Sequence, residues 1–183
     1  DAVVVGRFVG TRALAAVGGS TGQMVNLLVN FFVGLASGAT VIIARYYGAK
    51  KEKELNDTLH TAAALSVAGG IIISIAGILL APFMMELLKT PADVIEDSII
   101  YLRIYFAGII FVFIYNVGSA ILRAVGDSTR PLYFLIVCCF LNIFLDVILV
   151  VGMNLGVAGA AIATVVSQAV SAVLVIRALM KSK

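Results

Sequence analysis

"LYFLIVCCFLNIFLDVILVV", Leu132–Val151, is a run in which Asn142 and Asp146 are the only amide and carboxylate side chains. Twenty helical residues at about 1.5 Å each cover about 30 Å, the thickness of a bilayer's hydrocarbon core. A surface helix of a soluble protein would need a polar face along such a length, and this run has none. The stretch therefore reads as a membrane span, and the open question is why it keeps a carboxylate.

The rest of the chain has the same character. Of its 183 residues, 62% are hydrophobic and 13% charged, and the mean hydropathy is +1.11. That is more apolar surface than a soluble domain of this size hides from water. The charges cluster at Arg45–Asp57, Glu86–Asp97, Arg123–Arg130 and the C-terminus, leaving long apolar runs between them. The spans predicted from these runs are approximately 1–8, 21–44, 59–88, 98–122, 131–151 and 157–180, within one membrane domain covering 1–183. The chain opens on an apolar stretch at Asp1, which reads as the tail of a first helix whose start is missing. Ser20 or Thr21 is a candidate cap for the second helix. Small residues recur every four positions at Gly6/Gly10, Gly34/Gly38 and Gly159/Ala163/Ser167, which lets helices in lipid approach closely.

Alternate loops divide the basic residues between two sides. Arg45, Lys50, Lys51, Lys53, Arg123, Arg130, Arg177, Lys181 and Lys183 fall on one side, and Arg7, Arg12 and Lys89 on the other. The positive-inside rule makes the first side cytoplasmic, and the C-terminus with it. The net charge of +3 is no sign of nucleic-acid binding, because no stripe combines basic and aromatic residues. Cys138 and Cys139 lie within a span at a spacing that suits neither a disulfide framework nor a metal site.

The polar residues of the spans fall in one layer. Counted from the outer ends of their helices, Asp146 lies about 8 Å deep, Asn142 about 14 Å and Thr164 about 10 Å. Asp1 comes to about 10 Å if its helix ends near Phe8, and Asn26 and Asn30 to about 8–15 Å. A carboxylate at a helix centre costs about 2.5–3.5 kcal/mol on insertion scales. Two carboxylates with Asn and Thr at matching depth point to a site for a small hard cation or a proton. Tyr101 and Gln168, with Asn26 and Asn30, are candidates for lining a cavity beside it. Arg103 and Tyr105 read as interfacial anchors. Gly18-Gly19-Ser20-Thr21-Gly22 matches the nucleophile-elbow pattern by letters alone, because the single histidine, His60, falls on the opposite side of the bilayer. No phosphate-binding loop, dinucleotide fingerprint or metalloprotease motif occurs, so neither an enzyme nor a cofactor is expected.

Four segments carry a family resemblance: "VVVGRFVGTRALAAVG" (Val3–Gly18), "GLASGATVIIARYYGAKK" (Gly34–Lys51), "ILRAVGDSTRP" (Ile121–Pro131) and "GVAGAAIATVVSQ" (Gly156–Gln168). Together they resemble the N-terminal half of the MATE (multidrug and toxic compound extrusion) transporters. The resemblance implies an all-α, polytopic membrane helical bundle: one six-helix lobe of a twelve-helix transporter, with its first helix truncated and a C-terminal lobe as its missing partner. It also implies export of a small organic cation or drug in exchange for Na⁺ or H⁺, across what would be a bacterial cytoplasmic membrane. The family's N-terminal cation site would fall on Asp1, Asn142, Asp146 and Thr164. Two alternatives stay open: a lipid-linked oligosaccharide flippase of the same superfamily, which should carry more basic charge in its cavity, and a non-transport membrane scaffold.

Overall fold

The computed structural model describes residues 2–181, all of whose regular structure is helical. In chain order the elements are α1 (Ala2–Phe8), α2 (Thr11–Gly18), α3 (Ser20–Gly48), α4 (Glu52–Leu87), α5 (Ile95–Ala107), α6 (Ile109–Ala124), α7 (Thr129–Asp146), a π-helical segment (Val147–Gly152) and α8 (Gly156–Lys181). Thr11–Gly48, Glu52–Leu87, Thr129–Gly152 and Gly156–Lys181 are each long and apolar enough to cross a membrane, and the bent pair α5–α6 would make a fifth crossing. The chain is thus an all-α membrane bundle. The turns at 49–51 and 125–128 share one end with the C-terminus of α8, called here the basic end.

Outward-facing Leu, Ile, Val and Phe cover much of the surface. In α7 the exposed set includes Leu132, Ile136, Phe140, Ile143 and Phe144. Lipid solvates such a face at no cost, so the buried positions are chosen for close packing rather than for hydrophobicity alone. The main core joins Phe32 and Ile43 of α3, Met85 of α4 and Phe106, Ile109 and Phe113 of α5 and α6. A second cluster, at the end opposite the basic one, packs Val5 of α1 and Ala13, Ala16 and Val17 of α2 against Tyr101, Val150 and Ala160.

The structure departs from the sequence reading in four places. The segment before Thr21 is helical from Thr11, broken only at Gly19, and Ser20 opens α3 without a side-chain cap. Thr21 is buried and its hydroxyl lies against the Met85 sulfur at 3.8 Å. At the basic end, α4 begins at Glu52 rather than near 59, with Glu52 and Glu54 in its first turn, where carboxylates favour the positive end of the helix dipole. The run 98–122 is two helices meeting at a 48° bend. At the bend the chain runs close against α8: a Cβ on Gly108 would lie 2.6 Å from the Val165 methyls, so this position accepts only glycine. Finally, Tyr105 is not an interfacial anchor but is 6% exposed in the core.

Arg103 also has a more specific place than the sequence suggested. Pro82 lies inside α4 and lacks an N–H, which leaves the carbonyl of Ile78, four residues back, without its helical donor. Arg103 Nε of α5 donates to that oxygen at 3.3 Å. Arg103→Met should therefore destabilise the protein by about 1–3 kcal/mol, the cost of an orphaned acceptor. The same change in a Pro82→Ala background, where the backbone N–H returns, should cost much less. Unfolding of the four variants in detergent gives the coupling directly.

Candidate functional site: a carboxylate between α7 and α8

Asp146 is the last residue of α7, and its side chain is fully buried. One turn earlier on the same face, the Asn142 amide donates to the Thr164 hydroxyl of α8 at 3.4 Å. Thr164 Oγ1 in turn donates to the Ala160 carbonyl at 3.1 Å. Tyr101 of α5 brings its hydroxyl to Thr164, with Asp146 close by. The Tyr101 ring stacks on Tyr105 with centroids 6.5 Å apart and planes within 13°. The arrangement supplies carboxylate, amide and hydroxyl oxygens from three helices, the hard donors that suit a small cation.

The backbone changes character at this point. Immediately after Asp146 the helix widens into the π turn, where the Met153 N–H reaches the Ile148 carbonyl at 2.9 Å and the Leu155 N–H reaches the Leu149 carbonyl at 3.0 Å. Such wide turns occur mostly as single inserts, frequently at functional sites. The segment is held from both sides: α1 packs on it, and α8 approaches so closely that a Cβ on Gly159 would lie 3.1 Å from the Leu149 carbonyl.

Below the carboxylate, toward the basic end, lies a cavity of about 200 Å³ lined by Leu135, Cys138, Cys139, Asn142, Thr164, Ser167 and Gln168. Gln168 shares this cavity with Thr164, one turn away on α8. The structure brings Asn142, Asp146, Thr164, Tyr101 and Gln168 into one neighbourhood, and Asp1 lies outside the described residues. Asn26 and Asn30 are exposed on α3 and line neither this cavity nor the apolar groove between α3 and α4. Ser167 and Cys138 were missed as cavity residues. Ser167 stood out in the sequence only as one step of a small-residue ridge, and Cys138 only as half of an unpaired doublet. His60 is exposed on α4 with its ring nitrogen on the Asn56 carbonyl, toward the basic end, whereas Ser20 opens α3 at the other end.

Comparison with known proteins gives a consistent picture. Residues 1–148 match the MatE family model. The probable multidrug resistance protein YoeA of Bacillus subtilis is 37% identical over 169 residues, covering 90% of this chain and 36% of that protein. The probable multidrug resistance protein NorM of Thermotoga maritima is 31% identical over 166 residues, 88% of this chain and 35% of the relative. Among solved structures, the inward-facing conformation of a multidrug resistance MATE family transporter of the MOP superfamily superposes with a TM-score of 0.90 at 28% identity, over 97% of this chain and 40% of that one. A MATE crystal structure in the bent conformation gives 0.88 at 30% identity, over 95% and 38%. The chain spans a little over a third of the length of these curated relatives.

Proposed function

Since the chain belongs to the MatE family of multidrug efflux transporters, we propose that it is the N-terminal lobe of a secondary antiporter that exports organic cations or drugs in exchange for Na⁺ or H⁺. The observation that supports this reading is the buried Asp146 beside Asn142 and Thr164 within a membrane span. A fully buried carboxylate in lipid is costly unless a cation or proton neutralises it. Occupancy of the site therefore changes the balance of forces between α7, α8 and the π turn. That change is what would bias the lobe between two packings, as alternating access requires. Asp1, placed by the resemblance on the facing helix, would complete the site, and Tyr101 would orient Thr164. The substrate would occupy the space between this lobe and the C-terminal one.

The flippase alternative would need basic side chains along the central cavity to hold pyrophosphate, and most of this chain's Lys and Arg residues instead cluster near the helix ends. In the proposed orientation the basic end faces the cytoplasm. A cysteine placed at Lys51 or Ser128 should then be shielded from impermeant thiol reagents in intact cells, and one at Ala92 or Asn154 should react. Labelling at Lys51 from outside would reverse the orientation.

The function itself is tested by reconstituting the full-length protein in vesicles and imposing Na⁺ and pH gradients separately. Efflux of a cationic dye driven by either gradient is the expected result. Dye movement indifferent to both gradients would count against antiport.

A further inference from the structure

The cavity below Asp146 is not a dead end. On α7, Asp146, Asn142, Cys138 and Pro131 recur at helical spacing along one buried or half-buried face, while the opposite face meets lipid. Ser167 and Gln168 of α8 line the same cavity as Asn142 and Thr164, and Ser171, one turn further on, bonds the Gln168 carbonyl at 2.9 Å and lies beside Cys138. Polar atoms thus follow the α7–α8 seam from the carboxylate toward the basic end.

The third wall comes from α6. Gly108 faces Val165 and Gly118 faces Val175, ten residues on in both helices, so α6 runs parallel to α8 in constant register. On that register Ser119 lies about 7 Å closer to the basic end than Ser171. Its hydroxyl, 1% exposed, has no hydrogen-bond partner among the described residues. Tyr115 lies next to it, with its own hydroxyl donated to the Pro131 carbonyl at 2.9 Å. A buried hydroxyl without a partner is costly, and two adjacent oxygens with free lone pairs are the kind of pair an internal water bridges. Around this pair and Ser171, the side chains of Leu122, Val175, Ile114 and Phe134 close the seam with apolar packing. From Asp146 to Pro131 the path measures about 22 Å along α7, most of the way to the basic surface.

We infer that the coupling cation passes between Asp146 and the cytoplasm through the α6–α7–α8 seam, with Ser119 and Tyr115 as an inner water-holding station and the Leu122–Val175 cluster as its gate. The path rests on the antiport reading above. It does not require the ion to return through the space between the two lobes. Arg123, exposed near Tyr115 at the mouth, disfavours a resident cation there, so the inner station is a point of passage and not a second binding site.

The test uses Ser119→Val and Ser119→Thr, a pair of equal size that differs in the hydroxyl. Both are made in the full-length transporter and reconstituted, with an internal pH dye in one arm and radioactive Na⁺ in the other. Expected is a slowing of cation delivery to the cytoplasmic side by about tenfold in the Val variant, the equivalent of one lost hydrogen bond. Equilibrium binding of the substrate should be unchanged, and the Thr variant should run near the wild-type rate. Slowing in either ion's arm supports the path and names the ion. Equal rates for Val and Thr, whether both fast or both slow, overturn it. Asp146→Asn serves as the separate control: if it still exchanges, the antiport site is wrong, and if it fails while Ser119→Val runs normally, the path alone is wrong.

Discussion

Asp146→Asn in the full-length transporter should abolish gradient-driven efflux while leaving insertion and folding intact. The change keeps the shape of a side chain that has no exposed surface and removes a charge whose burial is itself costly, so stability should hold or rise. The functional loss should be large. Two unit charges about 4 Å apart attract by about 4 kcal/mol at an effective dielectric near 20, which corresponds to about a thousandfold in cation affinity. Asn142→Ala and Thr164→Ala each remove one neutral oxygen, worth about 1 kcal/mol, and should weaken coupling by about fivefold. Asp1→Asn should resemble Asp146→Asn if the two carboxylates share the site. The measurement is efflux of a cationic dye under an imposed gradient, and normal efflux by Asp146→Asn would remove the carboxylate from the mechanism. A carboxylate that served only packing would show that outcome, with a gain in stability as its sole signature.

Gly77→Ala should be the most damaging single methyl in the bundle. A Cβ at this position would lie 2.1 Å from the Phe106 ring, with two more ring atoms at 2.3 Å, and Phe106 is itself 2% exposed in the main core. The ring is packed within that core, so α4 and α5 must separate or Phe106 must leave its rotamer. Overpacking of this kind costs about 1–3 kcal/mol and sometimes more. Phe106→Ala alone should cost about 3–5 kcal/mol through the cavity it opens. The double variant should be more stable than the sum of the two predicts, because each change relieves the other's defect. Denaturation in detergent micelles measures all three. Additive losses would mean that the two residues do not meet in the membrane.

Asn142, Asp146 and Thr164 were legible because lipid makes polar residues conspicuous: each stands out against an apolar run, and counting from helix ends sets their depth without any tertiary information. Depth alone said nothing about azimuth for Asn26 and Asn30: α3 turns both to the exposed surface of the lobe, away from the α7–α8 cavity. The bend at Gly108 was hidden for a different reason. Glycine is common in membrane helices, and only the Val165 methyls across the bundle reveal that this one has no room for a Cβ. The bond from Arg103 to Ile78 joins two helices through a carbonyl freed by Pro82, a relation that hydropathy does not register. Val147–Val151 gave no warning of the π turn either, since a uniformly aliphatic run carries no periodicity to interrupt.

That π turn separates chain length from helix phase. In an α-helix, removing one residue rotates everything beyond it by about 100°, so a deletion between Thr129 and Asp146 would swing the start of the helix off its neighbours relative to its end. An i→i+5 turn already holds one residue more than the α-helix needs. Losing one of Ile148, Leu149 or Val151 would let the turn close to ordinary α geometry with Asn142 still facing Thr164 and Gly152 still entering the turn to α8. The stretch beside the carboxylate is therefore a place where this lobe tolerates a change in length, and relatives one residue shorter there would keep the same polar face.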